Sequence, residues 1–212
     1  MHSEALLDGN KVFREKKVKK LQDKLVDLAD NGQNPKALFI GCCDSRVVPN
    51  LMTSTDPGDL FITRNIGNFV PPYNPNAEYL ATASAIEYAV SALKVKDIIV
   101  CGHSHCGAIE GLYTADQLDN EKFIHVKKWL KLGERAKKYV EENISEKADF
   151  REKLDMTEKM SAVFQLDNLL TYPAVKEAVE AGELTLSAWH YDIKSAKVEY
   201  YDKDRGEFIE AK

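Results

Sequence analysis

Two short apolar runs constrain this chain more than any other feature: Ala37-Leu38-Phe39-Ile40-Gly41-Cys42 and Asp97-Ile98-Ile99-Val100-Cys101-Gly102-His103. Both have strand length, and both close on residues that carry chemistry, "CCDSRVVP" after the first and "GHSHCG" in the second. Between them, residues 77–93 have helical spacing. Tyr79, Ala83, Ile86, Val90 and Leu93 fall on one stripe, and Ala81, Ala83, Ser84 and Ala85 permit close packing. Strand, helix, strand predicts an α/β parallel sheet, in which ligands gather beyond the carboxyl ends of the strands.

The remaining pattern extends this reading. Residues 10–31 form an amphipathic helix with Val18, Leu21, Leu25 and Leu28 on one face; Gly32 stops it and Pro35 lies beyond. The turn signal Asp56-Pro57-Gly58 leads into an apolar strand over 59–65, followed by a Pro/Asn-rich loop at 67–76. Helices are expected over 105–114, 120–143 and 157–171, the last with Met160, Val163, Phe164 and Leu170 inward. Late strands at 185–191 and 197–202, a few residues apart, should pair antiparallel. The predicted fold class is therefore α/β: a mostly parallel central sheet flanked by helices, with a late antiparallel strand and an N-terminal helical arm. With no internal repeat or linker, residues 1–212 read as one domain, 1–35 the arm and 36–212 the core.

Composition narrows the class. An apolar fraction of 44% and a charged fraction of 30% are those of a soluble globular protein. A net charge of −5, with no basic groove pattern and Tyr200 and Tyr201 set among acids, points away from nucleic acid. Lysine pairs such as Lys16-Lys17 read as solvated helix faces. The opening "MHSEALLDGNKVFREKK" has no apolar signal core, and no run approaches a membrane span, so a cytoplasmic protein is expected. Four cysteines make no disulfide framework; their uses are metal binding, redox chemistry or burial.

If the two strands are neighbours, a thiolate from the Cys42-Cys43 end of the first converges with His103 and Cys106 at the end of the second. Two thiolates and an imidazole are a zinc set, and three protein ligands leave the fourth position for water, as in catalytic sites. A lone H-x-x-C is weak evidence, and a cysteine at a strand end is commonly a small hydrophobe, which is how Cys101 reads. A vicinal Cys42–Cys43 disulfide would be strained. His105 completes a His-x-His with His103 but reads as a surface or proton-relay residue; His2, His125 and His190 read as structural or exposed. Asp44 and Arg46 add to the pattern. Two thiolates formally cancel the charge of a zinc ion, so a carboxylate that orients its water, clamped bidentately by an arginine, has a task there.

Taken together, "CCDSRVVP", "GDLFITRNIGN" and "CGHSHCGA" resemble the β-class carbonic anhydrases, with the C-x-D-S-R and G-H-S-x-C-G motifs; "LTLSAWHYDI" is similar as well. The resemblance implies a lyase with one zinc ion per subunit on Cys42, His103 and Cys106, and Asp44 with Arg46 as catalytic dyad. It implies CO2 + H2O ⇌ HCO3⁻ + H⁺ by attack of zinc-bound hydroxide on CO2. It further implies a homodimer or dimer of dimers with active sites at the subunit interface, which the N-terminal helix would embrace, and no membrane or nucleic-acid partner. Cys43 stands where the family commonly has serine and is expected in packing.

The plant-type subgroup resemblance implies substrate contacts from Gln33, Phe61, Ile66 and Tyr88, with the Gly107 amide as a donor to bicarbonate. Without the family, Gln33 is a loop glutamine, Phe61 a strand residue and Tyr88 a packed helix aromatic. The other subgroup closes its site with the aspartate as fourth zinc ligand and has a tryptophan three residues before the first ligand cysteine. Phe39 stands there, although Arg64 is present, so an open site with Asp44 on Arg46 is expected at neutral pH. The same ligands would serve a zinc hydrolase acting on CS2 or COS. A non-catalytic structural-zinc or redox module is the reading from a different class.

Overall fold

The computed structural model describes residues 2–78, 80–119 and 121–211. Tyr79, Asn120 and the side chain of His2 lie outside the described residues. Six strands form one sheet: β1 (Ala37–Cys42), β2 (Leu60–Asn65), β3 (Asp97–His103), β4 (Thr185–Asp192), β5 (Lys197–Asp202) and β6 (Glu207–Glu210), in the order β2-β1-β3-β4-β5-β6. β2, β1, β3 and β4 are mutually parallel; β4–β5 and β5–β6 are antiparallel. The mostly parallel α/β sheet expected from sequence is thus present. The chain leaves β1 toward one edge for β2 and returns across it to β3. The carboxyl ends of β1 and β3 are therefore the topological switch point, the crevice where open α/β sheets take ligands.

Alternation along β1 sends Leu38 and Ile40 to one face, where they are fully buried with Ile98, Val100 and Ala188. The helices covering that face are α4 (Ala81–Glu87, continued by a wider turn over Tyr88–Ala92), α8 (Phe150–Leu169) and α9 (Pro173–Glu180). Phe39, Ile99 and Cys101 occupy the other face, with the Phe39 ring edge-on to Trp189 at 6.5 Å. Among the described residues, only the short α3 (Pro49–Met52) brings a helix residue, Met52, to that cluster. A third cluster lies beyond the strand ends, where Phe69, Ile109, Leu112, Leu130 and Leu154 surround Cys42 and Cys106. It is built from α5 (Gly107–Thr114), α6 (Ile124–Leu130), α8 and the loop after β2.

Several boundaries differ from the sequence reading for identifiable reasons. The helix expected from 77 begins at Ala81, and its buried face is Thr82, Ile86, Ala89 and Val90. The charged helix expected over 120–143 is two, α6 and α7 (Glu134–Asn143), joined by a tight turn at Lys131–Gly133. A Cβ on Gly133 would stand 2.8 Å from Phe69 and 2.9 Å from Leu112, so the glycine lets the turn press into the third cluster. α8 starts at Phe150, seven residues before the expected start at 157, because Asp149 and Glu152 form a reciprocal capping box. Its buried face is also not the one expected. Leu154, Thr157, Glu158, Ser161, Ala162, Gln165, Leu166 and Leu169 are buried, while Leu170 is exposed and Met160, Val163 and Phe164 are half-buried. Two of the buried polar residues tie the helix to its neighbours. Gln165 accepts from the Val70 amide at 2.7 Å, and Thr157 pairs with Tyr113 at 2.8 Å.

Within the N-terminal arm, the helix expected over 10–31 starts earlier, at His2, and is bent. α1 (His2–Val12) passes through a wide turn at Phe13–Lys17 and a tight one at Val18–Lys20 into α2 (Gln22–Asn31). Gly32 then takes φ +84°, the stop read from sequence. Val18, Leu21, Leu25 and Leu28 are half-buried, as their spacing indicated, with Leu28 packed under Gly58 and Lys24 bonded to Asp59 at 2.8 Å. Leu6 and Leu7 of α1 are 79% and 71% exposed.

Candidate active site

Parallel pairing of β1 with β3 sets Gly41 opposite Cys101, so Cys42 and Gly102-His103 stand together at the carboxyl ends of neighbouring strands. The Sγ atoms of Cys42 and Cys106 and a ring nitrogen of His103 all lie within 4.8 Å of one another, and all three residues are buried. His103 Nδ1 faces the Ser104 carbonyl at 3.0 Å, which places the proton on Nδ1. Nε2 is buried and has no hydrogen-bond partner. A buried imidazole nitrogen with a free lone pair, aimed at two sulfurs, is what a thiolate-rich zinc site requires of its histidine.

The sulfurs are electrostatically poised. The Cys106 thiol, hydrogen-bonding to Cys42, overrides the opposing effect of burial and, with His103 and the Gly67 amide at 3.4 Å, brings Cys42 down to about 4. Cys106 moves well up, because its thiol bonds to that thiolate and because it is buried. Burial pushes His103 down, but the Cys42 thiolate outweighs it and leaves the imidazole raised. These three groups compete for one set of protons at close range, which a divalent cation held by them would displace. Cys101, one strand position away, has its thiol pushed far up by complete burial and belongs to the core.

Asp44 lies beside this cluster and is not part of it. Its Oδ1 accepts from Arg46 Nε at 2.8 Å and from the Arg46 amide at 2.9 Å, and its Oδ2 accepts from Arg46 Nη2 at 2.6 Å. Those Arg46 bonds hold the Asp44 carboxyl far below the ordinary carboxylate range. Arg46 Nη2 also donates to the His105 carbonyl at 3.0 Å. Arg64, on the edge strand, donates to the carbonyls of Cys42 at 2.8 Å and Asp44 at 2.7 Å and so fixes the backbone that presents both. A cleft of about 460 Å³ opens onto the cluster, lined by Cys42, Cys43, Asp44, Ile66, Gly107 and Phe123 among others. Cys43 is exposed in this cleft and does not pack inward as expected, because alternation turns it away from Cys42.

The sequence-read residues therefore divide. Cys42, His103, Cys106, Asp44, Arg46, Ile66 and Gly107 meet at one place. Gln33, Phe61 and Tyr88 do not line this cleft. Gln33 is exposed in the loop after α2, and the rings of Phe61 and Tyr88 stack at 5.8 Å against each other. Phe61 pairs with Leu38, four positions before the Asn65–Cys42 pair, roughly 13 Å along the strand. His105 is exposed at φ +58°, with Nδ1 3.3 Å from Arg151. His190 is buried. Sequence reading missed the Gly67 amide on Cys42, the two Arg64 bonds, and Glu158, whose Oε1 accepts from the Cys106 amide at 3.1 Å. None of the three has a spacing signal. The D-x-x-E at 149–152 marks the start of the helix that carries Glu158, but no spacing sets that residue against Cys106.

The carbonic anhydrase family model matches residues 37–198. A carbonic anhydrase of Synechocystis sp. is 40% identical over 204 residues, 96% of this chain and 73% of that protein. One of Pseudomonas aeruginosa is 43% identical over 179 residues, 84% of this chain and 78% of that protein. Among solved structures, the β-carbonic anhydrase CcaA superposes with a TM-score of 0.92 at 39% identity, covering 100% of both chains. A tetrameric β-carbonic anhydrase of Sordaria macrospora superposes at 0.82 with 28% identity, over 94% of this chain and 96% of that one. The chain belongs to the carbonic anhydrase family, in its β-class.

Proposed function

We propose that this site catalyses the reversible hydration of CO2 to bicarbonate and a proton with one zinc ion per subunit on Cys42, His103 and Cys106. One observation carries the reading: a buried Cys/His/Cys set with a free imidazole lone pair, beside a carboxylate that an arginine holds ionised. When bound, zinc supplies a Lewis acid that makes water a nucleophile near neutral pH.

The chain's own residues supply the rest. Asp44 stays ionised and acceptor-only, and its lone pairs not taken by Arg46 accept the hydrogen bond of the attacking oxygen, turning that oxygen's reactive lone pair toward CO2. Arg46 aims Asp44 and prevents it from taking the proton permanently. Ile66 gives CO2 an apolar wall. Gly107 opens α5 and lines the cleft, where its amide at the helix start favours the anionic product. Because Asp44 is turned onto Arg46, the donor group has three protein members, which supports an open site and disfavours a closed structural one. No feature of the cleft favours CS2 or COS over CO2.

We further propose that Gln33, Phe61 and Tyr88 complete the site of a second copy, in a homodimer or dimer of dimers. The support is their distance from the cleft of their own chain, the exposed Leu6 and Leu7 of the arm, and the half-exposed Tyr88 ring. No helix among the described residues is long and apolar enough to cross a membrane. Four cysteines without a disulfide suit the cytoplasm. The test is stopped-flow CO2 hydration by zinc-loaded protein from neutral to mildly alkaline pH. Fast, anion-inhibited turnover that persists near neutrality is expected. Absence of turnover with zinc bound overturns the proposal.

A further inference from the structure

The turn that carries Cys106 is held from outside the site by α8. Glu158, 1% exposed, accepts from the Cys106 amide through Oε1 at 3.1 Å, and the same oxygen takes Arg151 Nη2 at 2.6 Å. Its other oxygen stands 3.5 Å from His190 Nε2. α8 comes close enough for this because Gly102 has no side chain: a Cβ there would lie 2.9 Å from the Glu158 carbonyl oxygen. Arg151 also bonds Asp155 on its own helix, and its Nη1 meets the ring of His105 at 3.3 Å. His105 sits at φ +58°, which is unfavourable for a residue with a Cβ, so the bonds at its ring and its carbonyl are what retain it there. The carbonyl bond comes from Arg46. One chain of contacts thus runs from Asp44 through Arg46, His105, Arg151 and Glu158 to the amide of Cys106.

We propose that Glu158, braced by Arg151, is a positioning residue that fixes the Cys106 sulfur for metal binding and sets its place relative to the Asp44–Arg46 pair. The inference rests on the reading of Cys106 as a zinc ligand. A buried amide left without its acceptor must find another or remain unsatisfied, and here the turn that bears the sulfur is the part free to move. Glu158 and Arg151 do not line the cleft; they act on the turn through the Cys106 amide and the His105 ring.

The experiment compares the wild-type protein with Glu158→Gln, Glu158→Leu and Arg151→Met. It measures zinc affinity and release against a chromophoric chelator, and the visible absorption bands of the cobalt-substituted forms, which report ligand geometry. Glu158→Leu should bind zinc about 10- to 100-fold more weakly, with shifted cobalt bands. Glu158→Gln keeps the acceptor for the Cys106 amide and should return both towards wild type. Arg151→Met changes a partly exposed side chain and should speed zinc release about 10-fold, which keeps the test open should Glu158→Leu fail to fold. Wild-type affinity and cobalt bands in Glu158→Leu, or in Arg151→Met where the leucine variant does not fold, overturn the proposal. A wild-type protein that takes up no zinc overturns the ligand reading itself, and the proposal with it.

Discussion

Arg46 holds Asp44 by three hydrogen bonds, two to Oδ1 and one to Oδ2, and with the Nη2 that takes Oδ2 it reaches the carbonyl of His105. The carboxylate is thereby turned away from the sulfurs next to it and fixed as an acceptor. Asp44→Asn keeps the shape but replaces an acceptor with a donor on one side. Zinc content should be unchanged, while CO2 hydration falls by about 10²- to 10⁴-fold. Metal analysis beside stopped-flow rates checks both, and a variant with normal turnover removes Asp44 from the chemistry.

The same arginine fixes where acid acts. The folded-state pKa of Asp44 is depressed, so its contribution to stability is complete above the ordinary carboxylate range and disappears only as pH falls through the depressed value. Within the working range of the enzyme Asp44 should not titrate. Arg46→Ala removes the largest cause of the depression, and the Asp44 pKa should rise towards that of a free carboxylate. The pH–rate profile should gain an acid limb that the wild type lacks, and Arg46→Lys should restore it only in part, since an ammonium has no planar fork. Superimposable profiles for wild type and Arg46→Ala would contradict this.

Gly102→Ala tests the approach of α8 to β3. The added methyl meets backbone, the Glu158 carbonyl oxygen, which has no rotamer to escape into. A loss of about 1–3 kcal/mol is expected, read as a lower thermal midpoint in the zinc-loaded protein. An unchanged midpoint would mean that the helix yields freely.

The proposed second-copy contribution of Gln33 is open to complementation. Chains carrying Asp44→Asn and chains carrying Gln33→Ala should each be impaired alone. In a mixed oligomer, one class of site would combine an intact Asp44 from one copy with an intact Gln33 from the other. Activity above the sum of the two separate variants is then expected after co-expression. Strictly additive activity in demonstrably mixed oligomers would place Gln33 on its own chain's site, or on none.

How much of this was visible in the sequence depends on the distance over which each interaction works. The meeting of Cys42, His103 and Cys106 was legible because Cys42 and His103 end apolar runs whose register needs only a parallel pair, and His103 and Cys106 share a turn. Asp44 and Arg46 lie two apart, so their bond is local as well. Glu158 was not legible, since it reaches Cys106 from 52 residues away on a helix whose buried face carries Thr157, Ser161 and Gln165. Apolar periodicity aims such a helix wrongly, and it favoured Met160 and Phe164. Gly133 hid its role in the same way: within a charged run it reads as a tolerated helix glycine, and only the positions of Phe69 and Leu112 show that it must turn. The short β6 and the Pro173-led α9 have too few periodic residues to stand out from their loops.

A helix seated by greasy contacts alone can slide a turn and find other grease. α8 cannot. Displaced by one turn, it would take Gln165 from the Val70 amide and Glu158 from the Cys106 amide, and each stranded donor would cost on the order of 1–3 kcal/mol. The polar face works as a key cut for a single lock position. The near-miss packings open to a collapsing chain are rejected by the same bonds that shape the metal turn. One of the bonds that seat α8 in the core is thus also a bond that holds the turn bearing Cys106.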